Sequence, residues 1–354
     1  MNVTGYTLDR VDPKSLPEAE QVALARLFQR MSKEIVPEDP ERPLDAILSR
    51  IRATSANEWQ ASVRARDGHG NVVGWVATSR SLNDPENPHV AWTELQVHPD
   101  HRRKGLGRAL LAEIVSAAEG QHPELLFMGM SNDRAPGGGH FLERIGAQPG
   151  LPMKTNSLTI ADVDRAKVAE WAKLDPPGYR LVRVDNVVPP KLIAPYIEAA
   201  NAINDMPRGD LKMGDWKLTE EQIHDRESWL KQIGSNWWLL VAVHEATGEG
   251  VGFTEINNDP KQPWVVWQGG TAVTRAHRGH KLGLWMKAVM LDRILRELPA
   301  ATYFRTGNAN TNAQMLGINT DLGFKLAWQS ILWQLPIADA KTAVGLGTAT
   351  AGAR

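Results

Sequence analysis

The chain has 354 residues, 42% of them hydrophobic, with 40 Lys plus Arg against 41 Asp plus Glu and a formal net charge of -1. That length fits about two globular domains of roughly 150 residues each, and the charge balance gives no ground for a nucleic-acid partner or an anionic membrane surface. Cysteine is absent, which excludes disulfides, thiolate metal sites and a cysteine acyl-enzyme. No stretch approaches 18 apolar residues and the start has no apolar run, so neither a membrane span nor a signal peptide is expected, and the cytoplasm is the expected location.

In chain order, 5–11 alternates like a strand, and 17–31 and 43–52 carry helical periodicity. Residues 57–66 and 72–79 predict a hairpin around Asp67-Gly68-His69-Gly70-Asn71. A strand at 89–98, a helix at 104–119, a strand at 124–130, a helix near 137–145 and a strand near 153–160 follow. The order β-α-α-β-β-β-α-β-α-β predicts a mixed α/β layer fold. Residues 162–173 predict a short helix with an aspartate near its start. From 178 the same order begins again, with a hairpin of Trp237–Val243 and Val251–Ile256 around Thr247-Gly248-Glu249-Gly250.

The repetition is also literal. GYTLDRVD at 5–12 returns as GYRLVRVD at 178–185, NDPENPHVAW at 83–92 as NDPKQPWVVW at 258–267, and His101-Arg102 as His277-Arg278. The offsets drift only from 173 to 176, too long a period for a solenoid, so the chain holds a duplicated domain. The join falls near Asp175-Pro176-Pro177-Gly178, where two prolines and a glycine break a helix. The expected boundaries are a first domain at 1–161, a helical linker at 162–177, a second domain at 178–337 and a poorly ordered small-residue tail at 338–354.

The segment ELQVHPDHRRKGLGRALL, 94–111, carries the chemistry. A strand stops, the chain turns, and basic residues and two glycines lead into a helix. Gly105 and Gly107 let backbone approach a ligand closely. The first N–H groups of the helix have no intrahelical partner, so with Arg102, Arg103, Lys104 and Arg108 around them they suit a pyrophosphate. A Rossmann fingerprint or a P-loop would need other spacings, and neither is present.

The spacing Arg102-x-x-Gly105-x-Gly107 resembles the acetyl-CoA motif of the GNAT acetyltransferases. The resemblance covers about 1–336 and matches the tandem, mycothiol-synthase-like form of the family, without implying that activity. It implies two GNAT folds, each a mixed, largely antiparallel sheet flanked by helices, with one strand splayed to hold acetyl-CoA. It places Leu95, Gln96 and Val97 along pantetheine, and Arg102, Arg103, Lys104, Gly105, Leu106, Gly107 and Arg108 around the pyrophosphate. In the second half the matching positions are Ala272, Val273, Arg278, Gly279, His280, Lys281 and Gly283. Lys281 stands where the middle glycine belongs, and it either covers the phosphates or blocks them. Asn312, with Gly323-Phe324 after it, resembles the family's later motif, in which the asparagine lies beside pantetheine. The tyrosine that often protonates the leaving thiolate is replaced by Leu142 and by Asn319.

Acetyl transfer to an amine needs a base with a pKa near working pH and a donor for the thioester oxygen. Glu94, where family members often carry an acid, and Glu255, on a strand lining the acceptor cleft, are the candidate bases; each also reads as an ordinary strand glutamate. His98 and Tyr303 are lesser candidates. Gly270 takes the place matching Glu94, so that base is missing from the second half. Trp216, Trp237, Trp238 and Trp264 are candidates for an aromatic acceptor pocket. Glu38, Asp39, Glu41, Asp210 and Asp215, in loops 34–45 and 204–226, are candidates for holding a cationic amine. The ten histidines form no ligand spacing, so no metal is expected. The reading is an acyl-CoA-dependent N-acyltransferase acting on a small-molecule amine, as a monomer or homodimer. The alternative is that one or both halves bind CoA without catalysis.

Overall fold

The computed structural model describes residues 3–346, and its chain divides into two units. The first unit runs to Pro152, takes in Gly209–Gly214 and resumes at Ser330; the second holds Met153–Arg208 and Asp215–Gln329. The elements of the first half are β1 (Tyr6–Arg10), α1 (Glu18–Ile35), α2 (Leu44–Arg52), β2 (Glu58–Asp67), β3 (Val72–Ser81), β4 (Val90–Val97), α3 (Leu106–Ala117), β5 (Leu126–Asn132), α4 (Gly137–Arg144) and β6 (Gln148–Thr159). There follow α5 (Arg165–Ala172), β7 (Tyr179–Asp185), α6 (Pro190–Asn201), α7 (Glu220–Ile233), β8 (Asn236–His244), β9 (Gly250–Asn258) and β10 (Val265–Val273). The chain then forms α8 (Leu282–Glu297), β11 (Tyr303–Ala309), α9 (Ala313–Asp321), β12 (Lys325–Pro336) and α10 (Ile337–Val344).

In the first unit β1, β2, β3 and β4 are antiparallel neighbours, β4 and β5 run parallel, and the Ser330–Pro336 part of β12 pairs antiparallel with β5. In the second unit β7, β8, β9 and β10 repeat the meander, β10 and β11 run parallel, and Met153–Thr159 of β6 pairs antiparallel with β11. Each unit is therefore closed by a strand from the other repeat. This corrects the boundaries at 161 and 178: the strand expected to end the first domain serves the second unit. The side chains explain the choice. Leu158 and Ile160 belong to the core around Met290, Leu291, Phe304 and Phe324, whereas Trp333, Leu335 and Ile337 belong to the core around Leu110, Ile114 and Phe127.

Two further expectations are corrected. The helix at 162–173 forms, with Asp164 accepting the Lys167 N–H at 3.0 Å, but it is no free linker. It packs on α8, and Trp285 Nε1 donates to the Ala172 carbonyl at 3.2 Å. The expected tail is helical over Ile337–Val344, with Ala340 and Val344 buried in the first unit's core against α3. The rest of that tail, from 347, lies outside the described residues.

One core position breaks the hydrophobic pattern. Lys287 is 1% exposed on α8, and its Nζ has no hydrogen-bond partner. Counting back by the repeat offset, 287 − 176 = 111, it replaces Leu111 of the first core. Burial alone lowers its pKa from 10.5 to about 7. The folded state is then neutral above about 7 while the unfolded chain binds a proton up to 10.5, so stability rises with pH across that window. Lys287→Met is expected to raise the unfolding free energy near pH 8 by roughly 2–4 kcal/mol and to flatten the rise, measured by denaturant titration between pH 7 and 10.

Candidate active site

The site begins where two parallel strands part. Pairing of β4 with β5 is limited to Val90–Leu126, Ala91–Phe127 and Trp92–Met128, and β4 continues to Val97 alongside β3 only. The β5-facing edge of residues 93–97 is left without a strand partner, and so can pair with an extended ligand. Leu95 and Val97 face the α3 core, while Trp92, Glu94 and Gln96 alternate to the opposite face, the side of α1 and α2.

At the end of β4 the loop turns into α3, and positive φ is needed twice: Arg103 at 63° and Gly105 at 83°. In the second half the same two positions are Gly279 at 86° and Lys281 at 59°. Glycine thus takes one left-handed position in each loop and a basic residue takes the other. Lys281 is the N-cap of α8 as Gly105 is of α3, so the missing glycine does not deform the loop. A Cβ on Gly105 would meet nothing within 4 Å, which leaves open room beside the first N–H groups of α3. Arg103 and Arg108 are exposed and have no ion pair among the described residues, as suits an anion there. Lys104 Nζ donates to its own loop at the Asp100 carbonyl, 2.9 Å.

Arg102 does something other than the pyrophosphate contact expected of it. Its Nε donates to the Val97 carbonyl at 3.0 Å, and its two terminal nitrogens fork onto Glu34 of α1 at 2.7 and 2.6 Å. That pairing holds the Glu34 carboxyl below its usual range, the hydrogen bond being the largest cause. Arg278 repeats the arrangement, from Nε to the Val273 carbonyl at 3.1 Å and from NH2 to Asp205 at 2.6 Å. A second tether is duplicated as well. Tyr6 OH bonds His101 Nδ1 at 3.0 Å, and Tyr179 OH bonds His277 Nδ1 at 2.9 Å. The repeated GY and HR pairs of the sequence are therefore devices that fix the loop from outside. His98 is absorbed in the same way, since its Nδ1 accepts the Asp100 N–H.

Glu94 is exposed to solvent on this face of the sheet, yet protein crowds round its carboxyl. Burial raises its pKa above the ordinary carboxylate value, opposed by a hydrogen bond from Gln96 and by the charge of Arg42. Gln96 faces the cleft beside Glu94, donating to its Oε1. Across the parting, Arg134 after β5 holds the Ile35 carbonyl at 2.8 Å and the Glu38 carboxylate at 2.9 Å, which commits Glu38 to the protein rather than to an amine.

The second half places a carboxylate at the same spot from the neighbouring strand. Counting three residues back from Val97 and Val273 reaches Glu94 and Gly270; Glu94 pairs with Ala77, whereas Gly270 lies in a register shift opposite Glu255. Glu255 is 7% exposed and fully engaged, by Arg226 at 2.9 Å, Trp237 Nε1 at 2.8 Å, Tyr196 OH at 3.4 Å and the Gly270 N–H at 3.1 Å. A carboxylate so occupied has no lone pair left for an amine, which removes Glu255 as a base. Between Trp267 and Val273 there is one residue more than between Trp92 and Val97, forming the bulge at Gly269-Gly270 that meets Glu255.

Other expected site residues also find structural work. Asn312 caps α9 by accepting the Met315 N–H at 3.2 Å instead of reaching toward a ligand. Asn319 is buried against Asn308, and Leu142 packs on the first core, so neither half supplies a proton donor there. Trp237 and Trp238 are buried, Tyr303 lies under the Arg305 guanidinium at 4.8 Å, and Asp215 pairs with Arg208 at 2.7 Å. Arg42, Arg134 and the Gly209–Gly214 segment, which the structure brings to this region, were missed by the sequence reading because nothing local marks them.

Residues 23–146 match the model of the acetyltransferase (GNAT) family. A mycothiol acetyltransferase of Stackebrandtia nassauensis is 26% identical over 206 residues, covering 54% of this chain and 56% of that protein, little more than half its length. A tandem GNAT protein from the clavulanic acid biosynthesis pathway, solved without AcCoA, shares the fold over 94% of this chain and 98% of its own, with TM-score 0.72 and 23% identity. A GCN5-related N-acetyltransferase from Sphaerobacter thermophilus does so over 94% and 96%, with TM-score 0.63 and 16% identity. The chain thus has the fold of two GNAT domains in tandem. Within it, the first half is the part that also carries the acetyltransferase family's sequence signature.

Replacing Glu34 by Gln keeps the shape but removes the charged fork to Arg102. Acetyl-CoA affinity is expected to fall at least about tenfold, the loss of charge-assisted hydrogen bonds being worth roughly 1.5–3 kcal/mol, with the fold intact. Calorimetric titration with acetyl-CoA measures it, and unchanged affinity would mean that the Tyr6–His101 tether suffices.

Proposed function

We propose that the chain is an acetyl-CoA-dependent N-acetyltransferase for a primary amine of a small molecule, and that transfer takes place in the first half. The observation that carries this reading is the pair formed by an accessible Glu94 of raised pKa and the unpaired edge of β4 beside it. Pantetheine would lie along Leu95, Gln96 and Val97, with the pyrophosphate at Gly105, Leu106, Gly107 and the exposed Arg103 and Arg108. Glu94 takes a proton from the acceptor ammonium. The neutral nitrogen attacks the thioester carbonyl, whose oxygen is polarised by backbone N–H groups of β4. The C–S bond breaks, the nitrogen gives up its second proton to the departing thiolate through solvent, and CoA leaves as the thiol with the amide remaining. A ternary complex without an acyl-enzyme fits a chain that has no cysteine.

The second half supports binding rather than chemistry. Its loop keeps the left-handed pair Gly279 and Lys281, but the Gly270 N–H is already bonded to Glu255. Ala272, Val273, His280 and Gly283 would then line a CoA site that lacks both a free base and that donor, with Arg278 holding the loop as Arg102 does.

Glu94→Gln is expected to lower kcat by 10²- to 10⁴-fold, with little change in the KM for acetyl-CoA. In the native protein kcat/KM rises with pH through the Glu94 pKa, which lies above the ordinary carboxylate value, because only the carboxylate accepts a proton. The Gln variant should lose that acid limb, and a profile of CoA release against pH reads it. Gly105→Glu puts a side chain and a negative charge at a φ of 83°, and is expected to abolish acetyl-CoA binding to the first half. Calorimetric stoichiometry would then fall to the second half's share.

A further inference from the structure

Two large apolar side chains stand uncovered beside Glu94. Trp92 is 48% exposed and Met130 is 60% exposed. On the face of the sheet that carries Glu94, Val90 sits beside Leu126 and Trp92 beside Met128, after which the strands part with Glu94 on one and Met130 on the other. Trp92 thus lies at the apex of the parting, one two-residue step, about 7 Å, from Glu94, and Met130 stands across the parting in the row of the carboxylate.

The far end of this face is closed by Gly209–Gly214, a stretch of the connection between α6 and α7 that belongs to the first unit. Leu211 and Met213 pack on Val90, Leu126 and Met128. The segment is pinned at each end: Gly214 N–H donates to Asn87 Oδ1 at 2.7 Å and Lys212 N–H to Gln334 Oε1 at 2.8 Å. Asn87 is itself held by Asp84, within the NDP turn that the repeat preserves. The apolar row therefore stops at Trp92 rather than running on across the sheet.

In the second half the matching tryptophan has side-chain partners, although it too is 39% exposed. Trp267 holds the same place and meets Trp328 edge-on at 6.3 Å, with the Arg305 guanidinium 5.9 Å from its ring. Trp92 has neither a ring nor a cation against it among the described residues, and Met128 stands where Arg305 does.

We infer that the acceptor itself supplies the missing partner: the first half takes primary amines whose nitrogen is joined through a short chain to an aromatic or bulky apolar group, and that group seats on Trp92 against Met130. This rests on the transferase reading of Glu94. The substrate ammonium meets the carboxylate while the apolar group covers the indole, and Leu211 and Met213 limit its length.

The test is CoA release with acetyl-CoA and four amines: tryptamine and phenethylamine against ethanolamine and glucosamine. The aryl amines are expected to give kcat/KM at least tenfold higher. Trp92→Ala should remove that preference by raising their KM about tenfold or more, leaving glucosamine, ethanolamine and the KM for acetyl-CoA as they were. Trp267→Ala should leave the preference intact. Because Trp92 is exposed, an unchanged thermal midpoint checks that the variant folds. If the polar amines turn over as well as the aryl ones, or Trp92→Ala affects both sets alike, the subsite is wrong and the transferase reading stands. If no amine releases CoA, the transferase reading fails and the subsite with it.

Discussion

Backbone hydrogen bonding sets the terms for the rest of this molecule. A strand inside a sheet has both edges satisfied, and β4 gives up one of them after three residue pairs. An unpaired edge in a protein interior is costly unless something else completes it. The structure surrounds that edge with features that fit an extended acyl-CoA arm: a left-handed turn, a helix start, exposed cations, and a carboxylate on the opposite face. The same parting occurs in β10 and β11, so the constraint was inherited by both repeats.

What the repeats did with that inheritance differs. In the first, the carboxylate hangs from the parted strand and remains open. In the second it hangs from the adjacent strand, beneath a two-glycine bulge, and is bound by arginine, indole, phenol and backbone together. In the first half the acid, Glu94, stands opposite Ala77; in the second the acid is Glu255, opposite the Gly269-Gly270 bulge, so an exposed carboxylate becomes a buried structural anion. The loops, by contrast, diverged in sequence and stayed alike in conformation. Their positions are set by an arginine fork and a tyrosine–histidine tether acting from outside, and these survive in both halves.

The closing strands tie the repeats together more closely than the duplication requires. Each unit completes its sheet with a strand whose sequence lies in the other repeat, and the first unit also borrows Gly209–Gly214. A substitution in the second repeat can therefore act on the Glu94 face of the first unit's sheet through Leu211 or Met213. Separate expression of either half would leave a sheet edge and a core without their last strand.

The sequence by itself determined the element order, the duplication and the strand, glycine turn and helix of 94–111, because these are local: periodicity, turn residues and glycine spacing act within a few residues of where they stand. The turn at Gly105 between β4 and α3 was legible for that reason. Tertiary structure alone decided the partners. Nothing near Arg102 indicates that Glu34, on a distant helix, takes its guanidinium. Nothing near Glu255 tells that Arg226, Trp237 and the Gly270 N–H saturate it. The closing strand of each unit was misassigned for the same reason, since β6 and β12 have similar patterns and only the shape of the waiting core distinguishes Leu158 from Trp333. A lone pair is free or taken according to what the fold brings to it, and that depends on contacts between residues far apart in the chain.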